Sequence, residues 1–310
     1  MSPAGHALFV GDVGLDTTVA VSHLPQPDEK VVASAVADHA GGVVANAAAA
    51  CHRSGANVRL LCGVGDDPTG YHAVSELRAA GLDVDSRMAP GATCRAFILL
   101  EPAGEKRLIL IPGVSMYPTA EQVRSVSLND VAWAHTAAYD AGVAALLAER
   151  CREADLPWSV DLEPATFNHD PSRLRASLDG AAVVFVNTRA AQDLGDGAVK
   201  WLLDQGVKAV IRSRGSQGAM WITATTQAQA RPPRAVGPVI DTTGAGDCLA
   251  GWFIAETLAG LDPISALTSA VAAASLSCTR VGAQASYPDR SEVGRLQADA
   301  LASDRNRSTP

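Results

Sequence analysis

The 310-residue chain has few aromatic side chains, with Phe, Trp and Tyr making up only 5% of it. Its six cysteines are scattered, without a C-x-x-C pair or clustered histidines, so the pattern excludes a zinc site and favours reduced core cysteines. A reducing cytoplasm is therefore the predicted compartment. The N-terminus has no basic segment before its first apolar strand, which argues against a signal peptide.

Positive charge is also limited: 25 Lys and Arg residues stand against 33 Asp and Glu residues, which gives a formal net charge of −8 and a sequence pI of about 5.3. Without a basic surface, nucleic acids and acidic membranes are excluded as partners. No apolar run is long enough to span a bilayer. The pattern G-x-x-x-x-G-K-[ST] is missing too, which excludes a Walker-type phosphate loop. An anionic ligand would need another kind of site.

Strand-like and helix-like segments alternate regularly from residue 119 onward. Together with an early strand at residues 7–10, the alternation predicts one three-layer α/β domain over residues 1–310. In that fold a mostly parallel central sheet has helices on both faces and ligands at the carboxyl ends of its strands. The predicted strands of the alternating part are 131–135, 158–162, 182–186 and 209–212.

Two segments, approximately residues 17–39 and 93–112, contain strands that follow one another without helices between them. In a βαβ chain this pattern marks a small separate sheet. The second segment is interrupted at Ala103, Gly104 and Glu105, which we interpret as a hairpin turn. Residues 304–310 are polar and are predicted to form a disordered tail.

The run D-T-T-G-A-G-D at residues 241–247 follows two apolar residues and precedes a segment with helical spacing, so we interpret strand, tight loop and helix. Gly244, Ala245 and Gly246 lack bulk, and the first amides of a helix have no partner inside it, so the loop is suited to a phosphate. Asp247 would then take a proton from a hydroxyl that attacks phosphorus. The alternative is a capped turn in which Asp241 and Asp247 bond local amides.

Three further polar residues lie in loops or helices near predicted strand ends. Asp12 and Asp16 follow the first strand, and ionised carboxylates accept hydrogen bonds from a diol, although a simple turn gives the same pattern. Gly41 and Gly42 open an alanine-rich helix in which Asn46 is polar among apolar neighbours. Asn46 either has a structural role or bonds a ligand hydroxyl.

These motifs resemble those of the ribokinase-like (PfkB) sugar kinases, over residues 8–288. The matching strings are the loop at 241–247, G-x-x-x-x-D ending at Asp16, G-G-x-x-x-N ending at Asn46, G-V-G-D-D-P-T-G at 63–70 and R-x-G-A-Q-x-S-x-P at 280–288. The resemblance implies ATP-dependent phosphorylation of a hydroxyl of a small sugar, with Mg²⁺ and a potassium-type ion. It also implies that the small sheet is a lid over the sugar, through which the chain forms a homodimer.

The resemblance assigns roles to particular residues. Catalysis would use Asp247 as base and the amides of Gly244, Ala245 and Gly246 as anion hole. Acceptor binding is assigned to Asp12, Asp16, Gly41, Gly42, Asn46, Tyr139, Asp140 and Asp247. Nucleotide binding is assigned to Asn187, Ser213, Gly215, Gly218, Thr243, Gly244 and Gly246. The monovalent ion is assigned to Asp241, Thr243, Ser277, Arg280, Gly282 and Ser286.

The sequence departs from the family pattern at two positions. Val43 stands where ribokinases usually carry lysine, which leaves open an acceptor other than ribose, such as a nucleoside or an acidic or phosphorylated sugar. Ala190 stands where the family has the glutamate of N-x-x-E, so its part in magnesium binding would pass to Asp161 or Glu163. Loss of that glutamate also leaves open a catalytically silent binding protein.

Overall fold

Two sheets organise the chain in the computed structural model, which describes residues 5–102, 106–234 and 236–307. The larger sheet has nine strands and the smaller has four. In chain order the strands are β1 (His6–Val10), β2 (Gly14–Ala20), β3 (Ala35–Gly41), β4 (Val58–Gly65), β5 (Asp83–Ala89), β6 (Arg95–Leu100), β7 (Lys106–Ile111), β8 (Val131–Ala137), β9 (Trp158–Leu162), β10 (Val183–Val186), β11 (Val210–Ser213), β12 (Ala219–Ile222) and β13 (Gln227–Ala230).

Helices occupy most of the connections between the strands of the larger sheet. In chain order they are α1 (Val43–Arg53), α2 (Pro68–Ala79), α3 (Ala120–Ser125), α4 (Ala141–Glu153), α5 (Pro164–Phe167), α6 (Arg175–Leu178), α7 (Thr188–Asp193), α8 (Ala198–Asp204), α9 (Ala245–Leu258), α10 (Pro263–Ser277) and α11 (Arg290–Arg307). None of the helices in the described ranges combines the length and the apolar character needed to cross a membrane.

The larger sheet has the order β13-β12-β11-β10-β9-β8-β1-β4-β5 and is parallel except at β12 and β13. Residues 7–10 of β1 are fully buried, because apolar clusters cover both faces of the sheet. The predicted three-layer architecture is therefore confirmed. The six cysteines are free, as predicted, and five of them are buried.

The direction in which strands are added reverses at β1. The chain first builds β4 and β5 on one side of β1, and later adds β8 to β11 on the other side. At such a reversal the loops after neighbouring strands diverge and leave a crevice at the carboxyl ends. The fold therefore places a crevice between the ends of β1 and β8.

The smaller sheet has the order β3-β2-β6-β7 and comes from the two segments in which the sequence predicts consecutive strands. Asp16, Ala96 and Leu110 are register partners across β2, β6 and β7 and share one face. These three residues line a cavity with Asp12, so this face is turned toward the crevice. The predicted hairpin turn at 103–105 lies outside the described residues.

Three sequence predictions are corrected. Val239 and Ile240 do not form a strand, since the larger sheet ends at β13 and the amide of Ile240 bonds the carbonyl of Cys278 at 2.8 Å. The edge strand β5 is not predicted by the sequence, because Val84 and Met88 are the only large apolar side chains in its seven residues. Helix α11 continues to Arg307, where the sequence predicts a disordered tail from residue 304; residues 308–310 lie outside the described range.

Helices α1 and α9 pack at unusually close range. A Cβ added at Gly251 of α9 would lie 2.2 Å from the carbonyl oxygen of Ala47 and 2.8 Å from the amide nitrogen of Cys51, both backbone atoms of α1. Backbone atoms cannot rotate away as a side chain does. The two helices can therefore pack this closely because Gly251 has no side chain.

We expect Gly251→Ala to lower the free energy of unfolding by about 1–3 kcal/mol, because it overpacks the α1–α9 contact. Urea denaturation followed by circular dichroism measures this change. Gly294→Ala in α11 is the matched control, because its added Cβ meets no atom within 4 Å. There we expect a gain of about 0.5–1 kcal/mol from helix propensity. Equal stabilities of the two variants would contradict the packing argument.

Candidate active site

The crevice between the two sheets gathers many of the residues that the sequence assigns to acceptor binding. Asp12 follows β1 and Tyr139 follows β8, while Asp16 comes from β2 of the small sheet. With Gly42 they line a cavity of about 140 Å³. A second cavity of about 330 Å³ also includes Asp16 and extends to the loop before α9.

The loop before α9 presents unpaired amides. Gly244 has φ +70°, and a Cβ there would lie 2.4 Å from the hydroxyl oxygen of Tyr287, so no other residue fits. The amide of Ala245 makes only a long bond of 3.3 Å to the carbonyl of Thr242. Within the described ranges, the amides of Gly246 and Asp247 have no protein acceptor. The start of α9 therefore offers donors and a helix dipole to an anion.

Asp247 lies in the first turn of α9, and its carboxylate accepts a hydrogen bond from the Asn46 amide nitrogen at 2.9 Å. Burial, followed by the nearby Asp161 carboxyl group, raises the pKa of Asp247 well above its usual range, although Asn46 opposes the shift. A carboxylate with a raised pKa is a stronger base when it is deprotonated. The alternative role of Asp247 as a simple turn cap has no support in these bonds.

Asn46 is held in one orientation by a residue to which the sequence assigns no role. Gln284 donates from its amide nitrogen to the Asn46 side-chain oxygen at 3.0 Å and to the Ala40 carbonyl at 2.9 Å. Because the Asn46 side-chain oxygen accepts the hydrogen bond from Gln284, the side-chain nitrogen of Asn46 faces Asp247. The only sequence signal for Gln284 was its place in the string at 280–288.

Asp16 is held in the crevice without a protein donor. A Cβ on Gly41 would lie 2.3 Å from the Asp16 carboxyl carbon, so this carboxylate lies directly against glycine backbone. Among the described residues, none donates a hydrogen bond to the Asp16 side chain. Burial and the neighbouring Asp12 raise the pKa of Asp16 to about 6, while His39 opposes the shift. Its lone pairs remain available to ligand hydroxyls.

Three of the predicted ligand-binding residues serve as helix caps. The two carboxylate oxygens of Asp12 accept hydrogen bonds from the amide nitrogens of Val43, at 2.7 Å, and Val44, at 3.0 Å. Asp140 caps α4 and Asn187 caps α7 in the same way. These bonds fix the starts of three helices around the crevice. Only the remaining polar atoms of these residues are free for a ligand.

Ala190, which replaces the family glutamate, is fully buried in the apolar cluster on one face of the large sheet. Its amide donates to Asn187 at 2.8 Å. This position therefore contributes packing and a helix turn rather than a charge.

Two further carboxyl groups lie at the carboxyl end of β9, Asp161 within the strand and Glu163 directly after it. Burial, the neighbouring Glu163 and Asp12 raise the pKa of Asp161 well above its usual range. The hydroxyl of Tyr139 donates to Glu163. Within the described part of the chain, no three His, Cys, Asp or Glu side chains converge as a metal-binding group. Asp161 and Glu163 are nevertheless the hard oxygen donors that Mg²⁺ prefers when phosphates and water complete its coordination.

The predicted nucleotide-side loop lies after β11. Gly218 has φ +82° and closes a turn, since its amide bonds the Gly215 carbonyl at 2.9 Å. A Cβ on Gly215 would meet no atom within 4 Å, so this side of the loop is open. The backbone carbonyl of Ser213 accepts a hydrogen bond from the Thr188 hydroxyl, so the Ser213 hydroxyl is not used in this contact.

Asp241, assigned to a monovalent ion, is engaged by a lysine that the sequence did not single out. The ammonium of Lys106, on β7 of the small sheet, lies 2.6 Å from one Asp241 oxygen and also contacts the Thr243 hydroxyl. The other Asp241 oxygen accepts the Gly282 amide at 2.8 Å. Burial would raise the pKa of Asp241, but Lys106, Thr243 and Gly282 together lower it to about 2.

The other side chains assigned to that ion point their polar groups elsewhere. The hydroxyls of Ser277 and Ser286 donate to the carbonyls of Ala274 at 2.9 Å and Ala283 at 2.7 Å, respectively. Arg280 forms an ion pair with Glu292. The structure therefore brings together Asp241, Thr243 and Gly282, but not these three side chains.

Known proteins with a similar sequence or fold identify the family of this chain. The model of the pfkB family carbohydrate kinases matches residues 6–290. An ATP-dependent ribose-1-phosphate kinase from Halopiger xanaduensis is 29% identical over 282 residues, covering 89% of this chain and 93% of that protein. Arabidopsis thaliana ribokinase complexed with ribose and ATP has a TM-score of 0.81 at 23% identity, covering 96% of this chain and 99% of that one. Escherichia coli phosphofructokinase-2 in complex with potassium has a TM-score of 0.78 at 19% identity, with coverages of 96% and 99%.

The chain belongs to the pfkB family of carbohydrate kinases. It is an ATP-dependent sugar kinase with the ribokinase fold. The predicted family, fold class and enzyme class are confirmed.

The pKa of Asp16, about 6, predicts how sugar binding depends on pH. From pH 7 to pH 5 the ionised fraction of a group with this pKa falls from about nine-tenths to about one-tenth. If ionised Asp16 accepts sugar hydroxyls, KM for the sugar should rise about tenfold over this interval. Measuring KM at saturating ATP separates this effect from changes in kcat. Asp16→Asn should give a raised KM that no longer changes with pH, whereas unchanged KM values across the wild-type profile would contradict the role.

Proposed function

We propose that this kinase transfers the γ-phosphoryl group of ATP to a hydroxyl, the primary one, of a small sugar such as ribose or fructose. One observation carries the proposal: Asp247, oriented by Asn46, lies beside the unpaired amides that begin α9. Asp16 and Asn46 supply polar atoms for the sugar. The cavity of about 140 Å³ beside Asp16 would hold the sugar.

The proposed reaction proceeds by direct displacement. Asp247 takes the proton of the sugar hydroxyl while the sugar oxygen forms a bond to the γ-phosphorus. The bond between that phosphorus and the oxygen bridging to the β-phosphate breaks, and ADP leaves with the bonding electrons. The amides of Gly244, Ala245 and Gly246, at the start of α9, donate toward the negative charge of the transferring group.

ATP requires a divalent ion, and the oxygen donors of the crevice suit Mg²⁺. Asp161 and Glu163 would hold the ion through water, with Asn187 near the phosphates. The ion would supply positive charge to the phosphates and lower the raised pKa values of the surrounding carboxyl groups. Ser213, Gly215 and Gly218 would contact the nucleotide from the open side of their loop.

A second acceptor class has an observation in its favour. Beyond Tyr139 and Asp140 the crevice continues into a cavity of about 450 Å³ with Arg173 at its wall. A guanidinium there suits a phosphate or carboxylate on the acceptor. The relative from Halopiger xanaduensis carries the name of a ribose-1-phosphate kinase. A phosphorylated or acidic sugar is therefore the alternative acceptor.

An acceptor panel tests the proposal. ATP consumption is measured with ribose, fructose, ribose 1-phosphate, a sugar acid and a nucleoside, using purified protein and Mg²⁺. We expect a neutral monosaccharide to give the highest kcat/KM. In the variant Asp247→Asn, kcat with that acceptor should fall by roughly two orders of magnitude or more, because the general base is lost.

The control for this experiment is Asp204→Asn, which removes an exposed carboxylate that only pairs with Lys200. It should leave kcat unchanged. Highest activity with ribose 1-phosphate, lost on Arg173→Met, would favour the alternative acceptor. Normal kcat in a folded Asp247→Asn protein would exclude the proposed base.

We further propose that two chains pair through the small sheets. The face opposite Asp16 exposes Val36 by 62%, Ile109 by 56% and Ile111 by 43%. Phe97 is the register partner of Ile109 on that face. Contiguous exposed apolar side chains on a sheet with two open edges mark an interaction surface.

Ile109→Glu should convert the proposed dimer to a monomer, because a charge would be buried without a partner. Light scattering after size exclusion gives the mass directly. The matched control is Tyr71→Glu, since Tyr71 is 58% exposed on α2, outside the small sheet. A monomeric wild-type protein, or a dimer that survives Ile109→Glu, would contradict this interface.

A further inference from the structure

Lys106 connects the small sheet to the loop of the proposed anion hole. Its register partner is Leu100, which in turn pairs with Ala20, so Lys106 lies on the same face of the small sheet as Asp16. Its side chain is only 19% exposed. The ammonium group contacts Asp241 and Thr243, the latter adjacent to Gly244. A charge carried by the small sheet therefore reaches the α9 loop.

The Asp241 carboxylate has little capacity left for another ligand. One oxygen accepts the Lys106 ammonium at 2.6 Å, the Thr243 amide at 2.9 Å and the Thr243 hydroxyl at 2.6 Å. The other accepts the Gly282 amide at 2.8 Å. An ionised carboxylate offers about four lone-pair positions. Three donors therefore use the oxygen that Lys106 contacts, and the other oxygen keeps about one free position.

The single charge on Lys106 also satisfies the electrostatic need of the loop. Asp241 is 7% exposed at its side chain, and a buried carboxylate is costly without a nearby cation. An ammonium is a compact point charge with three donors, and it carries the same charge as potassium. The hydroxyls of Ser277 and Ser286 donate to nearby carbonyls and Arg280 pairs with Glu292. Among the described residues, Lys106 is therefore the cation that contacts the Asp241 carboxylate.

We propose that the Lys106 ammonium takes the place of a monovalent cation beside the α9 loop, so that this kinase works without potassium. Lys106 acts as a positioning residue, because it holds Asp241 and the loop rather than the reacting atoms. Removing its charge leaves Asp241 without a counter-ion and opens space for a potassium ion. The variant should thereby become potassium-dependent. The catalytic part of this inference depends on the proposed function, but the ion-binding part does not.

The experiment compares the wild-type protein with Lys106→Met in potassium chloride, sodium chloride and tetramethylammonium chloride at one ionic strength of about 0.1 M. The first readout is thermal unfolding, which needs no substrate. The wild-type Tm should be the same in all three salts. The Tm of Lys106→Met should rise by roughly 1–3 °C in potassium relative to tetramethylammonium, because an ion that binds only the folded state stabilises it.

The second readout is kcat with the best acceptor of the panel. Wild-type kcat should change less than about twofold among the three salts. Without potassium, kcat of Lys106→Met should fall about 10- to 100-fold, less than the loss of a donor to the reacting atoms, and potassium should restore most of it. Lys30→Met is the matched control, since Lys30 is exposed in the connection between β2 and β3. It should show neither effect.

Several results would overturn the inference. These are a wild-type protein that needs potassium or is stabilised specifically by it, and a Lys106→Met protein that keeps full kcat in every salt. A folded Lys106→Met protein with low kcat and no potassium-specific change in Tm or activity would also overturn it. If Lys106→Met does not fold, Lys106→Gln is the second variant and the wild-type salt comparison remains decisive. If no acceptor supports turnover, the proposed function fails, while the Tm comparison still tests the inference.

Discussion

Negative charge is concentrated in one crevice of this protein, and the crevice must accept ATP, which is itself a polyanion. Burial and neighbouring carboxyl groups, Glu163 among them, raise the pKa values of Asp12, Asp16, Asp161 and Asp247. Such a cluster persists only where each charge has a specific partner or is neutralised by a proton. The arrangement of the surrounding elements follows from this constraint.

Four of these carboxyl groups meet the constraint in different ways. Asp12 has the amides of α1, Glu163 has the Tyr139 hydroxyl, and Asp247 has Asn46. Among the described residues none donates to Asp16, so its carboxylate is available to a ligand. The partners come from separate elements, so the geometry depends on how closely those elements pack. Gly251 is an example, because it lets α9 approach α1 closely enough for Asn46 to reach Asp247.

Local patterns predicted the features that depend on neighbouring residues. The strand β1 and the glycine turn before α9 both follow from residue type and spacing. Val239 and Ile240 were misjudged because an apolar pair does not reveal that the sheet has already ended. For β5, large apolar side chains were too few to indicate an edge strand.

Contacts between distant parts of the chain were out of reach of the sequence. Lys106 and Asp241 are 135 residues apart, and Gln284 and Asn46 are 238 apart. No periodicity connects such pairs, because the path between them runs through two sheets. Asp12 shows another limit, since its position suggested a ligand contact but did not reveal that its oxygens accept the amides that begin α1. A polar residue at a strand end marks a site but does not define its own role there.

The contact of Lys106, on β7, with the loop before α9 has a consequence for the hydrolysis of ATP by water. Because Lys106 belongs to the small sheet, any outward swing of that sheet would carry the ammonium away from Asp241 and leave the loop with an uncompensated negative charge. Phosphate would then be repelled rather than activated. Without that contact, water in the crevice would meet an ATP molecule that the loop does not activate, so nucleotide would be conserved.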